Sequence, residues 1–307
     1  MRIASLNISE KKGVIKTPVE MVRVNHLGLQ QDAHAGQWHR QVSILGSNSI
    51  SRFEKVLGRS IAPGEFAENI TLQDFEVDRV GPLDILTSGE VVLEVTQIGK
   101  KCHGTNCTIF QQTGDCVMPK EGIFCRVLKE GTLRIGDDFV WRPKVFKALV
   151  ITLSDRCSSG TAIDVSGPAI VKKLKDLMDQ KNRSCEVKHV LLPDEPSQLV
   201  SVLKEAFECG TDIIVTTGST GIGPRDIAPE TISPLLEKEI PGIMEMVRIK
   251  YGVDKPGALL SRALAGTKNK SVVFAIPGSP KAVTEYMNEI NKIVFHCFNM
   301  LYAIDNH

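Results

Sequence analysis

The chain has 307 residues, enough for two domains with cores of their own. Hydrophobic residues make up 42% and charged residues 24%, as in an ordinary soluble globular protein, and a formal net charge of +1 gives no electrostatic reason to propose nucleic acid or an anionic membrane as partner. Met1 to Gly13 lacks the apolar core of a signal peptide and no run approaches the ~18 apolar residues of a membrane span, so a cytoplasmic location is expected, with the cysteines as thiols.

Up to about Arg142, short apolar runs are broken by Gly, Pro, Asp and Asn: Val19 to Val24, Val42 to Leu45, Ile70 to Leu72, Val91 to Val95 and Ile123 to Leu128. That rhythm predicts a compact, mainly β domain with one helix near Asn48 to Leu57. Asp32, His34, His39 and Arg40 gather just before the Val42 strand, and so many titratable and cationic groups point to an anion pocket. Beyond the Val91 strand, Cys102 is flanked by Lys100, Lys101 and His103. Nearby cations favour thiolate over thiol, which makes Cys102 the best placed cysteine to be nucleophilic or to carry a persulfide. The rival reading is a small buried residue. The distances to Cys107 and Cys116 do not match the short C-x₂₋₄-C pairs of structural zinc sites, and these two with Cys125 read as core or loop residues.

Around Trp141-Arg-Pro-Lys144 the pattern changes, placing a boundary between domains 1–142 and 143–307 with Pro143 as a linker. The second half alternates strand and helix periods, the pattern of an open α/β sheet. Phe146 to Leu153 is a continuous apolar strand. A helix start at Ser166-Gly-Pro168 follows, with Ile170, Val171, Leu174, Leu177 and Met178 on one face. Val187 to Leu192 is the next strand, ending in Pro193-Asp-Glu195, and Pro196 opens a helix with Leu199, Val202, Leu203 and Ala206 inward. The third strand, Ile213-Ile-Val215, runs into Gly218, Gly221 and Gly223, which free backbone N–H groups to face an anion, and Pro229 opens another helix. Val272 to Ile276 leads to Pro277-Gly-Ser-Pro-Lys281, where Ser279 fits the N-cap of a long last helix.

Ligands in such sheets bind beyond the strand C-termini. Asp194 and Asp226, at two of those ends, are candidate holders of Mg²⁺; the Gly218 to Gly221 amides and Ser279 are candidate phosphate cradles. Asp194 as a plain helix cap, Asp226 as the ion-pair partner of Arg225 or Arg156, Arg156 and Arg262 as braces of the sheet edge, and Lys281 as a solvated side chain are the alternatives. A GxxxxGK[ST] loop is absent, which argues against a P-loop nucleotide hydrolase.

The second half resembles the molybdopterin-binding domain of the MogA/MoaB family, including gephyrin-type G domains. The resemblance lies in Ser154-Asp-Arg-Cys-Ser-Ser-Gly160, Asp164, Ser166-Gly167, Pro193-Asp-Glu195, Thr216-Thr-Gly-Ser-Thr-Gly221, Pro224-Arg-Asp226, Pro229-Glu230, Leu260-Ser-Arg262 and Pro277-Gly-Ser-Pro-Lys281. The family pattern has a second glycine where this chain has Ser219. The resemblance implies a three-layer α/β fold, a trimer, and transfer of the adenylyl group of ATP to molybdopterin with Mg²⁺. It carries ligand-binding roles to Ser154, Asp155, Arg156, Ser159, Gly160, Thr217, Gly218, Ser219, Thr220, Gly221, Arg225, Glu230, Ser261, Arg262, Pro277, Gly278, Ser279 and Lys281. Catalysis falls to Asp194 and Asp226. Binding without turnover, as a carrier or scaffold, is the alternative.

The first half resembles a MOSC domain in Gly28-Leu-Gln-Gln-Asp-Ala-His-Ala-Gly36, His39-Arg-Gln-Val-Ser43, Gly64-Glu-Phe-Ala-Glu-Asn-Ile70, Cys102 and Gly114-Asp-Cys-Val-Met-Pro-Lys-Glu-Gly-Ile-Phe124. Gln31 stands where that family often has glycine. This resemblance implies a β-barrel with a pterin-cofactor or sulfur-handling role through Cys102. Together the halves are expected to form a bifunctional molybdenum cofactor biosynthesis protein.

Overall fold

The computed structural model describes residues 1–101 and 116–304, and the chain divides into two compact units, Met1–Lys144 together with Ile304, and Val145–Ala303. Strands of the first unit are β1 (Arg2–Ile8), β2 (Thr17–Val19), β3 (Met21–Asn25), β4 (Gly28–Leu29), β5 (Val42–Gly46), β6 (Ile70–Gln73), β7 (Ile85–Ser88), β8 (Val91–Ile98), β9 (Ile123–Lys129), β10 (Gly131–Arg134) and β11 (Val140–Arg142). Eight form one sheet in the order β11-β7-β8-β9-β5-β6-β1-β2, and β10-β3-β4 form a smaller one. Val19 to Val24 reads as one run but holds two strands, because the chain changes sheets at Glu20: β2 pairs with β1 and β3 with β10. Between the sheets' strands, Leu6, Val24, Leu29, Ile44, Ile70, Leu93 and Cys125 share one fully buried core. A helix, α1 (Ser47–Leu57), ends at Gly58 in the left-handed conformation expected of a helix-terminating glycine. A short turn of helix, α2 (Met118–Glu121), precedes β9.

A charged pair also lies inside this unit. Lys16 Nζ is 2.6 Å from Asp32 Oδ2, and neither side chain is exposed. Asp32 Oδ2 also accepts from the Ser9 N–H (3.1 Å) and Oδ1 from the His34 N–H (2.9 Å). Burial pushes the Asp32 carboxyl up, but the His34 and Lys16 contacts outweigh it and hold it well below the usual carboxylate range. Burial lowers the Lys16 ammonium in turn, against the pull of Asp32 and Glu68. Gly64, at φ +82°, passes so close that a Cβ there would stand 2.3 Å from the Lys16 carbonyl oxygen.

The second unit has β12 (Val145–Leu153), β13 (Ser184–Leu192), β14 (Ile213–Thr217), β15 (Lys238–Glu239), β16 (Leu264–Lys268) and β17 (Ser271–Ile276) in the order β13-β12-β14-β17-β16-β15. The first four are mutually parallel, β16 runs antiparallel to β17, and β15 runs antiparallel to β16. The helices are α3 (Asp155–Ser158), α4 (Ser166–Gln180), α5 (Pro196–Glu208), α6 (Ala228–Ile232), α7 (Pro241–Gly252) and α8 (Pro280–Leu301). Proline occupies the first turn of α5, α6, α7 and α8, where its missing N–H costs nothing. Leu199, Leu203, Ala206 and Ile232 of α5 and α6 meet Leu149, Ile151, Ile214 and Val273 on one sheet face. On the other face α4 packs on β12, β13 and α8, giving three layers. No helix among the described residues is long and apolar enough to cross a membrane.

Register then fixes where the strands end. Leu153 pairs with Leu192, Thr152 with Thr217, and Thr217 with Ile276. The segments beginning at Ser154, Pro193, Gly218 and Pro277 therefore leave the same edge of the sheet.

Candidate active site

At that edge the β14 end is built around two unusual residues. Gly218 has φ +99°, and a Cβ on it would lie 2.3 Å from the Leu153 carbonyl oxygen, so no side chain fits. Ser219 has φ +56°, a conformation that favours glycine, yet it is held there by its own hydroxyl. Its Oγ accepts from the Ile227 N–H at 2.8 Å and donates to the Arg225 carbonyl at 3.1 Å, closing the loop into a ring. Thr217 Oγ donates to the Pro277 carbonyl (3.0 Å), and the Gly218 N–H to the Ile276 carbonyl (3.0 Å), joining the β14 and β17 ends. Ser279 caps α8 by accepting from the Ala282 N–H at 3.2 Å.

Arg262 is a brace of this loop rather than of the sheet edge. Its backbone N–H donates to the Thr220 carbonyl (2.9 Å), Nε to the Gly221 carbonyl (2.6 Å) and a terminal nitrogen to the Asp226 carbonyl (3.2 Å). It also pairs with Glu230, whose carboxyl is held below its ordinary range by that bond. Asp226 turns into the loop, where Oδ2 accepts from the Gly223 N–H at 2.8 Å.

Asp194 does not cap α5, whose N-cap is Glu195 and has no side-chain cap bond. Asp194 Oδ2 accepts from the Asp155 N–H (3.1 Å), and Asp155 Oδ1 accepts from the Asp194 N–H (3.0 Å). Arg225 pairs with Asp155, not Asp226: its Nε and one terminal nitrogen donate to the Asp155 carboxylate at 2.8 to 3.1 Å. The same nitrogen lies 3.4 Å from Glu195. The Asp194 N–H and then Arg225 hold the Asp155 carboxyl below its usual range, and Asp155 raises the Arg225 guanidinium. Asp194 Oδ1 is buried without a hydrogen-bond partner. Among the described residues no three His, Cys, Asp or Glu side chains cluster closely enough to hold a metal by themselves. A lone buried carboxylate oxygen beside an anion loop nevertheless fits Mg²⁺, which takes one or two carboxylates and completes its shell with water and phosphate.

A pocket of about 650 Å³ opens between the glycine loop and the start of α8. Of the expected residues, Gly218, Ser219, Thr220, Gly221, Asp226, Ser261, Pro277, Gly278, Ser279 and Lys281 line it. Asp155, Asp194 and Arg225 stand at the neighbouring strand ends, outside that lining. Ser154 serves as the N-cap of α3, accepting from the Cys157 N–H at 3.2 Å. Arg156 contributes its carbonyl to the turn of Ser159, Gly160 and Thr161, with Gly160 at φ +76°. Tyr251, Lys255, Glu285 and Tyr286 also line the pocket and escape sequence reasoning. They come from α7, the turn after it and α8, and only the fold gathers them. The Tyr286 hydroxyl donates to Ser261 Oγ at 3.2 Å.

In the first unit the expected anion pocket is partly filled by protein: Asp32 is tied to Lys16, and His34 Nδ1 is 3.4 Å from Asp32 Oδ1. Arg40 lies over the Trp38 ring, 4.9 Å from its centroid. Cys116 and Cys125 are buried as expected, and burial pushes the Cys125 thiol up. Cys102, His103 and Cys107 lie outside the described residues.

A parallel sheet with a glycine loop, a capped helix start and carboxylates gathered at the C-terminal ends of its strands defines an open α/β domain, whose ligands bind at that edge as a class. Residues 149–296 match the family model described as "Probable molybdopterin binding domain", and residues 31–140 match that of the MOSC domain. The molybdopterin adenylyltransferase of Pyrococcus furiosus is 39% identical over 159 residues, covering 50% of this chain and 90% of that protein. The chain therefore belongs to the molybdopterin-binding domain family, and it carries a MOSC domain. Gephyrin of Dictyostelium discoideum is 35% identical over 158 residues, but the chain spans only 22% of that protein's length. The crystal structure of the tungsten cofactor synthesizing protein MoaB from Pyrococcus furiosus is 36% identical, with a TM-score of 0.46, covering 52% of this chain and 99% of that one.

Proposed function

We propose that this protein acts in molybdenum cofactor biosynthesis and that its second domain is a molybdopterin adenylyltransferase. The observation that carries this reading is the pocket walled by Gly218 to Gly221 on one side and Gly278, Ser279 and Lys281 on the other, with Asp226 of the loop in its lining and Asp194 just past the neighbouring β13 end. A phosphate oxygen of molybdopterin attacks the α-phosphorus of ATP, the new P–O bond forms as the bond to the β-phosphate oxygen breaks, and pyrophosphate leaves with that electron pair. In-line positioning and charge neutralisation suffice for such a transfer, so no protein nucleophile is required. The loop amides and the α8 start bind phosphate, and Lys281 adds positive charge. Asp194 and Asp226 would hold Mg²⁺, which neutralises phosphate charge when bound.

By the same reading, the domains are 1–142 and 143–307, the first a MOSC barrel handling sulfur or cofactor through Cys102. The second assembles as a homotrimer, and the protein works in the cytoplasm. Incubation with molybdopterin, ATP and Mg²⁺ tests the main reading: adenylylated pterin and pyrophosphate are expected from the wild type, with a large loss in Asp194→Ala and Asp226→Ala. No product from the wild type, or full rate in Asp226→Ala, overturns it. Mass spectrometry for a persulfide on Cys102, absent from Cys102→Ser, tests the first domain.

A further inference from the structure

The lysines around the outer wall of the pocket are not equivalent. Lys250 and Lys292 both donate to Glu289, at 2.6 and 2.7 Å, and neither lines the pocket. Lys255 and Lys281 do line it. Lys255 Nζ donates to Glu285 Oε1 at 2.8 Å, whereas Lys281 has no carboxylate partner among the described residues. The adjoining Lys255 ammonium holds Lys281 below its ordinary value, as expected of two cations side by side. Two ammonium groups thus stand near one carboxylate, which Lys255 bonds, beside the Ser279-capped start of α8, where the helix dipole adds further positive potential. Asp226, the other carboxylate of the lining, is turned toward the Gly223 N–H instead. Glu285, the carboxylate bonded to Lys255, sits on the same helix as Lys281.

We propose that Lys255 and Lys281 form the subsite for a phosphate-type oxyanion in this pocket, and that Glu285 is the resident counter-ion which the ligand displaces from Lys255. The inference rests on the reading that the pocket takes a phosphorylated ligand, and it names the residues that set affinity for the ligand's charge. Glu285 holds the Lys255 ammonium in the pocket lining. An arriving oxyanion replaces one carboxylate with several acceptor oxygens and bridges both lysines, while Glu285 turns to solvent. Lys255 is then a specificity residue favouring multiply charged phosphate over neutral ligands, and Glu285 competes with the ligand.

Calorimetric titration of the full chain with inorganic pyrophosphate tests this directly, without pterin or turnover. Lys255→Met is expected to weaken binding about tenfold or more, the usual effect of losing a charge-assisted hydrogen bond, and to make the salt dependence shallower. Glu285→Gln is expected to tighten binding about two- to fivefold, because an exposed competing ion pair is weak. An ion pair with a purely structural role shifts both variants in the same direction. The Lys255 side chain is 41% exposed, so its removal leaves the core intact, and Lys255→Gln serves as a second variant. Absence of pyrophosphate binding by the wild type, unchanged affinity in both Lys255 variants, or weakening in Glu285→Gln overturns the proposal. Adenylyl transfer is assayed separately on the same samples. The expected opposite shifts without product support the subsite and defeat the transferase reading; product with unshifted Lys255 variants does the reverse.

Discussion

Asp155 and Asp194 hold each other across two neighbouring strand ends: each backbone N–H donates to the other's carboxylate, at 3.1 and 3.0 Å. Two acidic residues would repel at this range if nothing offset them. Arg225 does so by gripping Asp155 through two nitrogens, and the arrangement leaves Asp194 Oδ1 buried and unpartnered. Arg225 also precedes Asp226 in the chain. It therefore ties the loop that carries one proposed metal ligand to the strand end that carries the other.

Arg225 should accordingly act as a positioning residue. Arg225→Ala is expected to lower kcat of adenylyl transfer about 10- to 100-fold while leaving the melting temperature unmoved, since the misplaced group is at the site and the guanidinium is exposed. Arg225→Lys should recover little, because an ammonium cannot reproduce a two-nitrogen grip. Unchanged kcat in Arg225→Ala, measured at saturating ATP, reduces the bond to a surface ion pair.

Ser219 yields a prediction about stability. Ser219→Ala keeps the left-handed backbone and loses both hydroxyl bonds, leaving the Ile227 N–H without its partner, at a cost of about 1–3 kcal/mol. Ser219→Gly loses the same bonds but adopts φ +56° freely, and should be less destabilised than the alanine variant by about 1 kcal/mol. Urea unfolding of the two variants orders them. Equal stabilities mean that the loop conformation does not depend on residue 219.

Ser219 and Gln31 show what the sequence allowed to be read. At both positions a resemblance expects glycine, and both residues take positive φ, 56° and 67°, so the backbone shape is kept without the glycine. The strands Phe146 to Leu153 and Val272 to Ile276 and the α4 face with Ile170, Leu174, Leu177 and Met178 were legible because their periods report burial directly. Helix α7 was not. Met244 and Val247 are buried while Met246 and Ile249 lie 43% and 67% exposed, so apolar residues occupy opposite faces and blur the helical period. The partners of Asp194 were equally hidden. Its chain position fits a helix cap, and only the parallel register of β12 and β13 brings residue 155 to it. Lys255 and Glu285 are 30 residues apart and carry no motif.

In the first domain, Lys16→Met should destabilise folding by about 3–5 kcal/mol, because it leaves the Asp32 carboxylate buried without its cation. Lys16→Met with Asp32→Asn should recover part of that loss by removing the stranded charge. The check is denaturant unfolding of the single and double variants. A double variant less stable than the single one means that the remaining Asp32 contacts to the Ser9 and His34 N–H groups matter more than the ion pair.

Glu289 carries a pH prediction for the second domain. The Lys250 hydrogen bond and then that of Lys292 pull its carboxyl down to about 2, against roughly 4.3 for a free glutamate. A carboxyl that is more acidic in the folded state binds fewer protons there than in the unfolded chain. Its contribution is therefore complete above the unfolded value and is lost as pH falls through about 2. Wild type and Glu289→Gln should differ most in unfolding free energy near neutral pH, and the gap should close between roughly pH 4.3 and pH 2. Because the Lys250 and Lys292 side chains are 48% and 63% exposed, high salt should narrow the gap at every pH. Urea titrations across pH 2 to 6 give the comparison. A gap that stays constant over that range assigns the effect of the substitution to packing between α7 and α8, not to the charge of Glu289.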